Sequence, residues 1–130
     1  HTNDAASAVT RLIDMGIEPF LLSSSLLGVL GQRLVRKLCP HCKERDPVAQ
    51  GWRAVGCEQC GKTGYLGRTG IYELLTVDEE MRLLVHQGGN DTDIRRTGEK
   101  HGMVSMRADA QRWIAAGITS QEEALRVTRE

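Results

Sequence analysis

The sequence predicts an α+β protein that is mostly helical, and three observations predict it. Apolar residues recur at helical spacing toward both ends of the chain. Two short aliphatic runs, Gln32 to Leu38 and Thr69 to Leu75, read as strands. Between them lies a stretch rich in Gly, Pro, Cys and charge, which reads as an irregular loop module.

Asn3 or Asp4 is placed to cap a first helix, with Ala5, Ala8, Val9, Leu12 and Ile13 on one face. Gly16 followed by Ile17 is a helix stop with its usual apolar partner. Pro19 suits the first turn of a second helix. Phe20, Leu21, Leu22, Leu26, Leu27, Val29 and Leu30 make that helix apolar on most sides, so burial is expected. After the second strand, Asp78 caps a helix with Met81, Leu84 and Val85 inward, ended by Gly88 and Gly89. A weaker helix is expected from about Asp91 to His101. Ser105 opens another, with Met106, Ala110, Trp113 and Ile114 on one face and Gly117 as its stop. Thr119 with Glu122 forms a capping box for the last helix.

The chain has 130 residues, room for one domain or two small ones. With one Phe, two Tyr and two Trp, its core must come from Leu, Ile, Val, Ala and Met. It begins at His1 with no start methionine and reads as a piece of a longer protein. Seventeen basic and seventeen acidic residues give zero net charge, which argues against a dedicated nucleic-acid binder. Residues 1–72 hold nine basic and six acidic side chains, and residues 73–130 hold eight and eleven. The longest uncharged run, Pro19 to Gln32, is shorter than the roughly 20 residues that span a bilayer.

All four cysteines fall in two pairs, Cys39-Pro40-His41-Cys42 and Cys57-Glu58-Gln59-Cys60, fourteen residues apart. Each CxxC turn supplies two thiolates converging on one point, and two turns complete a tetrahedral shell for Zn2+. With no open position such a metal is structural. His41 is then an exposed turn residue rather than a ligand. Arg36, Lys37, Lys43, Arg45 and Lys62 lie near enough in sequence to offset the charge of four thiolates.

Three other readings compete. Cys-Pro-His-Cys is also an active-site sequence of thioredoxin-fold thiol oxidases. That chemistry needs a helix starting at the first cysteine, and Lys43-Glu44-Arg45-Asp46-Pro47 is a poor helix start. Gly56-Cys57-Glu58-Gln59-Cys60-Gly61-Lys62-Thr63 fits the phosphate-loop pattern GxxxxGK[ST]. No buried strand precedes it and no helix is expected after it, so the match reads as coincidence, with Gly61 turning the chain beneath the metal. The third is a zinc-ribbon module that binds nucleic acid or protein, which neutral charge and few aromatics disfavour.

Several strings resemble a known family. They are His1-Thr2-Asn3, Ala8 to Leu12, Met15 to Leu26, Gln32 to Pro40, Cys57 to Cys60, Gly67 to Leu75, Gly117 to Ser120 and Glu122 to Thr128. Together they are similar to the type II secretion ATPases, the general secretion pathway protein E family, with type IV pilus assembly ATPases as close relatives. The resemblance covers nearly the whole chain. It implies the tail of a RecA-like domain over residues 1–38, a tetracysteine zinc module over 39–67, and a strand plus helical C-terminal subdomain over 68–130.

For the parent protein it implies a cytoplasmic hexameric motor, peripheral at the inner membrane and docked on the secretion platform proteins. The motor would use ATP and Mg2+ to drive pseudopilus assembly and export across the outer membrane. The family's phosphate loop and Mg2+-binding carboxylates lie upstream of its histidine box, so this stretch alone is not expected to hydrolyse ATP. His1 would be that box's histidine, near the nucleotide, although as a terminal residue it has a plainer reading. Arg33, Arg36 and Arg68 are candidates for nucleotide or subunit contact. Salt bridging and packing are the plainer reading of each. The family's two CxxC pairs usually stand further apart than fourteen residues, which leaves the ligands intact but changes the surface between them.

Overall fold

A computed structural model gives the structure of the protein and describes residues 3–129. His1 therefore lies outside the described residues. The described elements run α1 (Ala5–Asp14), α2 (Pro19–Ser25), β1 (Gly28–Leu38), β2 (Glu44–Arg45), β3 (Trp52–Arg53), a 3-10 turn (Glu58–Cys60), β4 (Tyr65–Thr76), α3 (Glu79–His86), α4 (Asp91–Lys100), α5 (Met106–Ala115) and α6 (Gln121–Thr128). The chain folds into two compact units, each built from two separate segments. The first joins the residues up to Gln32 to Tyr72–Ser105, and the second joins Arg33–Ile71 to the residues from Met106 onward.

β1 and β4 pair in one two-stranded sheet, and β2 and β3 in another. At one end of the first pair the Val77 N–H donates to the Leu27 carbonyl, and at the other the Cys39 N–H donates to the Gly64 carbonyl. The partners therefore run in opposite directions. Between those bonds β4 holds one residue more than β1, and its alternation of burial slips at Gly70–Ile71, both buried. That is the pattern of a β-bulge.

The core of the first unit is Val9, Leu75, Met81, Val85 and Ile94, all at most 1% exposed. Asp4 caps α1, accepting from the Ser7 N–H at 2.8 Å and pairing with Arg95 at 2.6 Å. The carboxylate of Glu73 accepts from the Ala5 N–H at 2.9 Å, placing negative charge at the positive end of α1. At the other end Gly16 has φ +104, and the Ile17 N–H donates to the Leu12 carbonyl as the Gly16 N–H does to Ile13. This is the expected left-handed stop. Asp78 caps α3 through the Met81 N–H at 2.9 Å, with Met81 and Val85 buried, as the sequence predicts.

α2 differs from expectation. It begins with Pro19 at its first turn but ends at Ser25, and Leu26 is already extended. Ser23, Ser24 and Ser25 turn their hydroxyls back onto the carbonyls of Phe20 and Leu21, a local competitor of helix propagation. The residues from Gly28 onward then join β1, which starts earlier than the predicted strand. Only Leu22 of the apolar run is buried; Phe20 is 60% and Leu27 78% exposed.

In the second unit Val35, Ile71, Met106, Ala110, Ile114, Ala124 and Val127 form the core, with Trp113 packed against it. The Trp113 indole N–H donates to the Gly70 carbonyl at 2.8 Å, satisfying the backbone where the strand slips. α5 presents the predicted face. The cap of α6 is one residue further along than the sequence suggests. Ser120, not Thr119, accepts from the Glu123 N–H at 3.1 Å, and Thr119 instead donates its hydroxyl to the Arg36 carbonyl at 2.7 Å.

Candidate metal centre

The four cysteines come from two turns. Cys39 follows the last residue of β1, and its turn closes by the Lys43 N–H donating to the Cys39 carbonyl at 3.1 Å. Cys57 is extended and Cys60 ends the 3-10 turn, closed by the Lys62 N–H on the Cys57 carbonyl at 2.7 Å. Gly61 and Lys62 both adopt left-handed backbone, at φ +65 and +67, which reverses the chain. Gly56, at φ +117, passes so close that a Cβ there would lie 2.8 Å from the Lys62 carbonyl oxygen. Only glycine fits that position.

All four Sγ atoms lie within 4.8 Å of one another, the one such group of potential metal ligands among the described residues. Cys39 to Cys57 is 3.8 Å, Cys57 to Cys60 3.8 Å and Cys42 to Cys60 3.9 Å. A tetrahedron with Zn–S bonds of about 2.3 Å has edges of about 3.8 Å. The donor set therefore fits a four-coordinate thiophilic cation. Cys39 and Cys60 are buried; Cys42 and Cys57 are half-buried.

Three backbone N–H groups aim at the sulfurs: Gly56 at Cys42 (3.3 Å), and Cys57 and Gly64 at Cys60 (3.2 and 3.1 Å). Burial pushes the Cys60 thiol up, but the Cys57 and Gly64 N–H groups outweigh it and bring it down to about 6. For Cys42 the Gly56 N–H favours the thiolate, yet desolvation and the neighbouring thiols push it up to about 11. Without a metal, Cys42 therefore stays a thiol near neutral pH while Cys60 favours the thiolate. A divalent cation among them would favour the thiolate at Cys42 as well.

The expected charge offset is only partly realised. Arg36 is turned to Glu123, at 2.9 Å, and lies 4.2 Å over the Tyr65 ring. Lys43 donates to the Gly117 carbonyl at 2.8 Å and lies 4.9 Å over the Trp52 ring, which Arg45 also faces at 5.2 Å. Lys37 and Lys62 are exposed, as is His41. The stretch Gly56 to Thr63 wraps the sulfurs and is followed by β4, not by a helix, so it is no phosphate cradle.

Of the candidate arginines, Arg33 donates to the Val127 carbonyl at 2.9 Å and Arg68 is exposed. Sequence reasoning missed Glu123. Its buried carboxylate takes both Arg36 and Arg126, at 2.9 and 2.7 Å, together with the Arg36 backbone N–H. Burial raises its pKa, but the Arg126 and Arg36 bonds bring it down to about 2. The Arg126 spacing of three residues was a visible signal; Arg36, 87 residues away, was not.

The chain is similar to known proteins along its length. The family described as type II/IV secretion system protein matches residues 1–126. Type II secretion system protein HxcR of Pseudomonas aeruginosa is 62% identical over 130 residues, covering all of this chain and 27% of that protein. Type II secretion system protein E of the same organism is 51% identical over 145 residues, covering all of this chain and 29% of that protein. The type IV pilus assembly ATPase PilB of Thermus thermophilus is 44% identical over 147 residues, covering all of this chain and 16% of that protein.

The last two alignments are longer than the chain, so both proteins have residues without counterparts here; the alignment with HxcR is no longer than the chain. This chain thus spans well under a third of each relative. A crystal structure of the pilus retraction motor PilT with bound ADP superposes with a TM-score of 0.65 at 20% identity. It covers all of this chain and 31% of that one, so the two share a fold over that stretch. Matched from its first residue to within four of its last, the chain belongs to the type II/IV secretion system protein family.

Proposed function

We propose that this chain is the C-terminal part of a type II secretion motor, in which Cys39, Cys42, Cys57 and Cys60 hold a structural Zn2+. Convergence of four sulfurs at tetrahedral spacing is the observation that carries the metal assignment. A bound Zn2+ would supply folding energy that this loop module, nearly without buried apolar side chains, cannot supply itself. The family and the secretion proteins among the relatives support the motor assignment.

On this reading residues 1–38 end the RecA-like domain, 39–67 form the zinc module, and 68–130 form the strand and helical subdomain. The parent protein would be a hexamer that couples hydrolysis of Mg2+-bound ATP to pseudopilus assembly and export across the outer membrane. It would work in the cytoplasm against the inner-membrane platform. Among the described residues no helix is long and apolar enough to cross a membrane. His1 and the arginines Arg33, Arg36 and Arg68 remain the proposed nucleotide- or subunit-facing set. Within this chain Arg36 has the strongest competing engagement, through Glu123.

A native mass spectrum of the chain, purified without reductant, tests the metal. One zinc per chain, lost together with structure on chelation, is expected. A metal-free mass, two hydrogens lighter per disulfide, would make the cysteines an oxidised framework and overturn the assignment. In the parent protein, Cys42→Ser should abolish export; undiminished export would remove the metal from the motor's function.

A further inference from the structure

The turn between α5 and α6 is held residue by residue from the cysteine module. The Gly117 carbonyl accepts from Lys43, the neighbour of Cys42, at 2.8 Å. The Ile118 carbonyl accepts from the N–H of Leu38, the neighbour of Cys39, at 2.7 Å. Thr119 donates its hydroxyl to the carbonyl of Arg36, three residues before Cys39, at 2.7 Å. The Ser120 hydroxyl, which caps α6, meets the Tyr65 hydroxyl at 2.7 Å. Tyr65 follows Gly64, whose N–H points at the Cys60 sulfur and whose carbonyl accepts from the Cys39 N–H. Four consecutive residues thus each bond to a residue in a ligand turn or at the ends of β1 and β4 that lead into those turns.

We infer that Gly117–Ser120 is a latch that couples metal occupancy to the α5–α6 pair, in both directions. The inference rests on the metal reading above and gives that site a role beyond its own loop. Between Cys39 and Gly64 the buried residues are Cys39, Cys60 and Gly64 alone, so without the metal the module has no apolar core to hold Lys43, and Leu38 and Tyr65, at the last rungs of the β1–β4 pair, lose the closure beyond the strand ends. α6 has eight residues, too few to persist as an isolated helix. It depends on its cap at Ser120, on burying Ala124 and Val127, and on the Glu123–Arg36 pair, whose arginine also carries the Thr119 bond. Losing the metal therefore releases the latch, and releasing the latch frays α6.

Coupling of this kind is reciprocal. The factor by which the metal favours docked α6 is the factor by which docked α6 favours the metal, so a variant that undocks α6 weakens metal binding by up to that factor, even from a residue that touches no ligand. Ala124→Gly lies inside α6, away from the sulfurs, and weakens the helix; Tyr65→Phe removes one latch hydroxyl and leaves every cysteine in place. The test measures Zn2+ affinity of the wild-type chain and both variants by competition with a chromophoric chelator. Amide hydrogen exchange with and without chelator is followed over α6, with α3 as the reference.

In each variant the Zn2+ affinity should fall about fivefold or more, the lower range of measured couplings. Chelation should speed exchange in α6 at least tenfold and leave α3 unchanged. Unchanged affinity in both variants, with α6 still protected after the metal leaves, would overturn the latch while leaving the metal site standing. A wild-type chain that binds no Zn2+ would instead overturn the metal reading itself.

Discussion

Glu123 shares one buried carboxylate between Arg36 and Arg126, and its energetics can be read directly in a titration. Its pKa is held at about 2 against an ordinary 4.5. A carboxyl depressed in the folded state contributes fully above its unfolded pKa, and that contribution is lost as pH falls through 4.5 toward 2. Urea unfolding at pH 7 and at pH 3 should therefore show wild type losing stability on acidification. Glu123→Gln should start about 2 kcal/mol lower at pH 7 and lose less between the two values. An equal loss in both proteins would mean that other carboxylates carry the acid sensitivity. Gly56 is the other residue with little freedom. Gly56→Ala forces a Cβ against the Lys62 carbonyl at a left-handed φ and should lower the melting temperature of the metal-loaded chain. An unchanged melting temperature would mean the turn has slack that the geometry does not suggest.

At the scale of elements, α4 contributes Ile94, with no exposed surface, to the core of the first unit. Ile94→Ala should cost about 3 kcal/mol by denaturant unfolding, since the packed neighbours cannot close the cavity fully. A cost below 1 kcal/mol would mean they can. Elements announced by local chemistry were legible in the sequence. Asp4 and Asp78 cap where expected, Gly16 stops α1, and the paired cysteines meet. The boundary between α2 and β1 was not legible, because the apolar run from Phe20 to Leu30 has no period that separates helix from strand. The hydroxyls of Ser23 to Ser25, turned back onto the helix carbonyls, mark the end of α2. Glu123 stayed hidden because one of its two arginines, Arg36, lies on β1, 87 residues away, and the adjacent hydroxyl residues Thr119 and Ser120 put the expected α6 cap one position early.

At the scale of the whole molecule, the wrapped loop from Gly56 to Thr63 matches the letters of a nucleotide site without its geometry. Calorimetric titration of the zinc-loaded chain with Mg2+ and ATP should give no binding heat. Heat abolished by Lys62→Ala would show that the loop does hold phosphate. The interleaved units also set an order of events on the ribosome. The first unit is complete once Ser105 has emerged, but Arg33–Ile71 must wait for α5 and α6. At synthesis rates of about 5–20 residues per second, the thiols exist for several seconds before their helical half arrives. During that interval they face glutathione and competing metals before α5 and α6 have joined their unit. If the cysteines hold a metal as proposed, the speed of translation between Cys60 and α6 therefore bears on which metal fills the site.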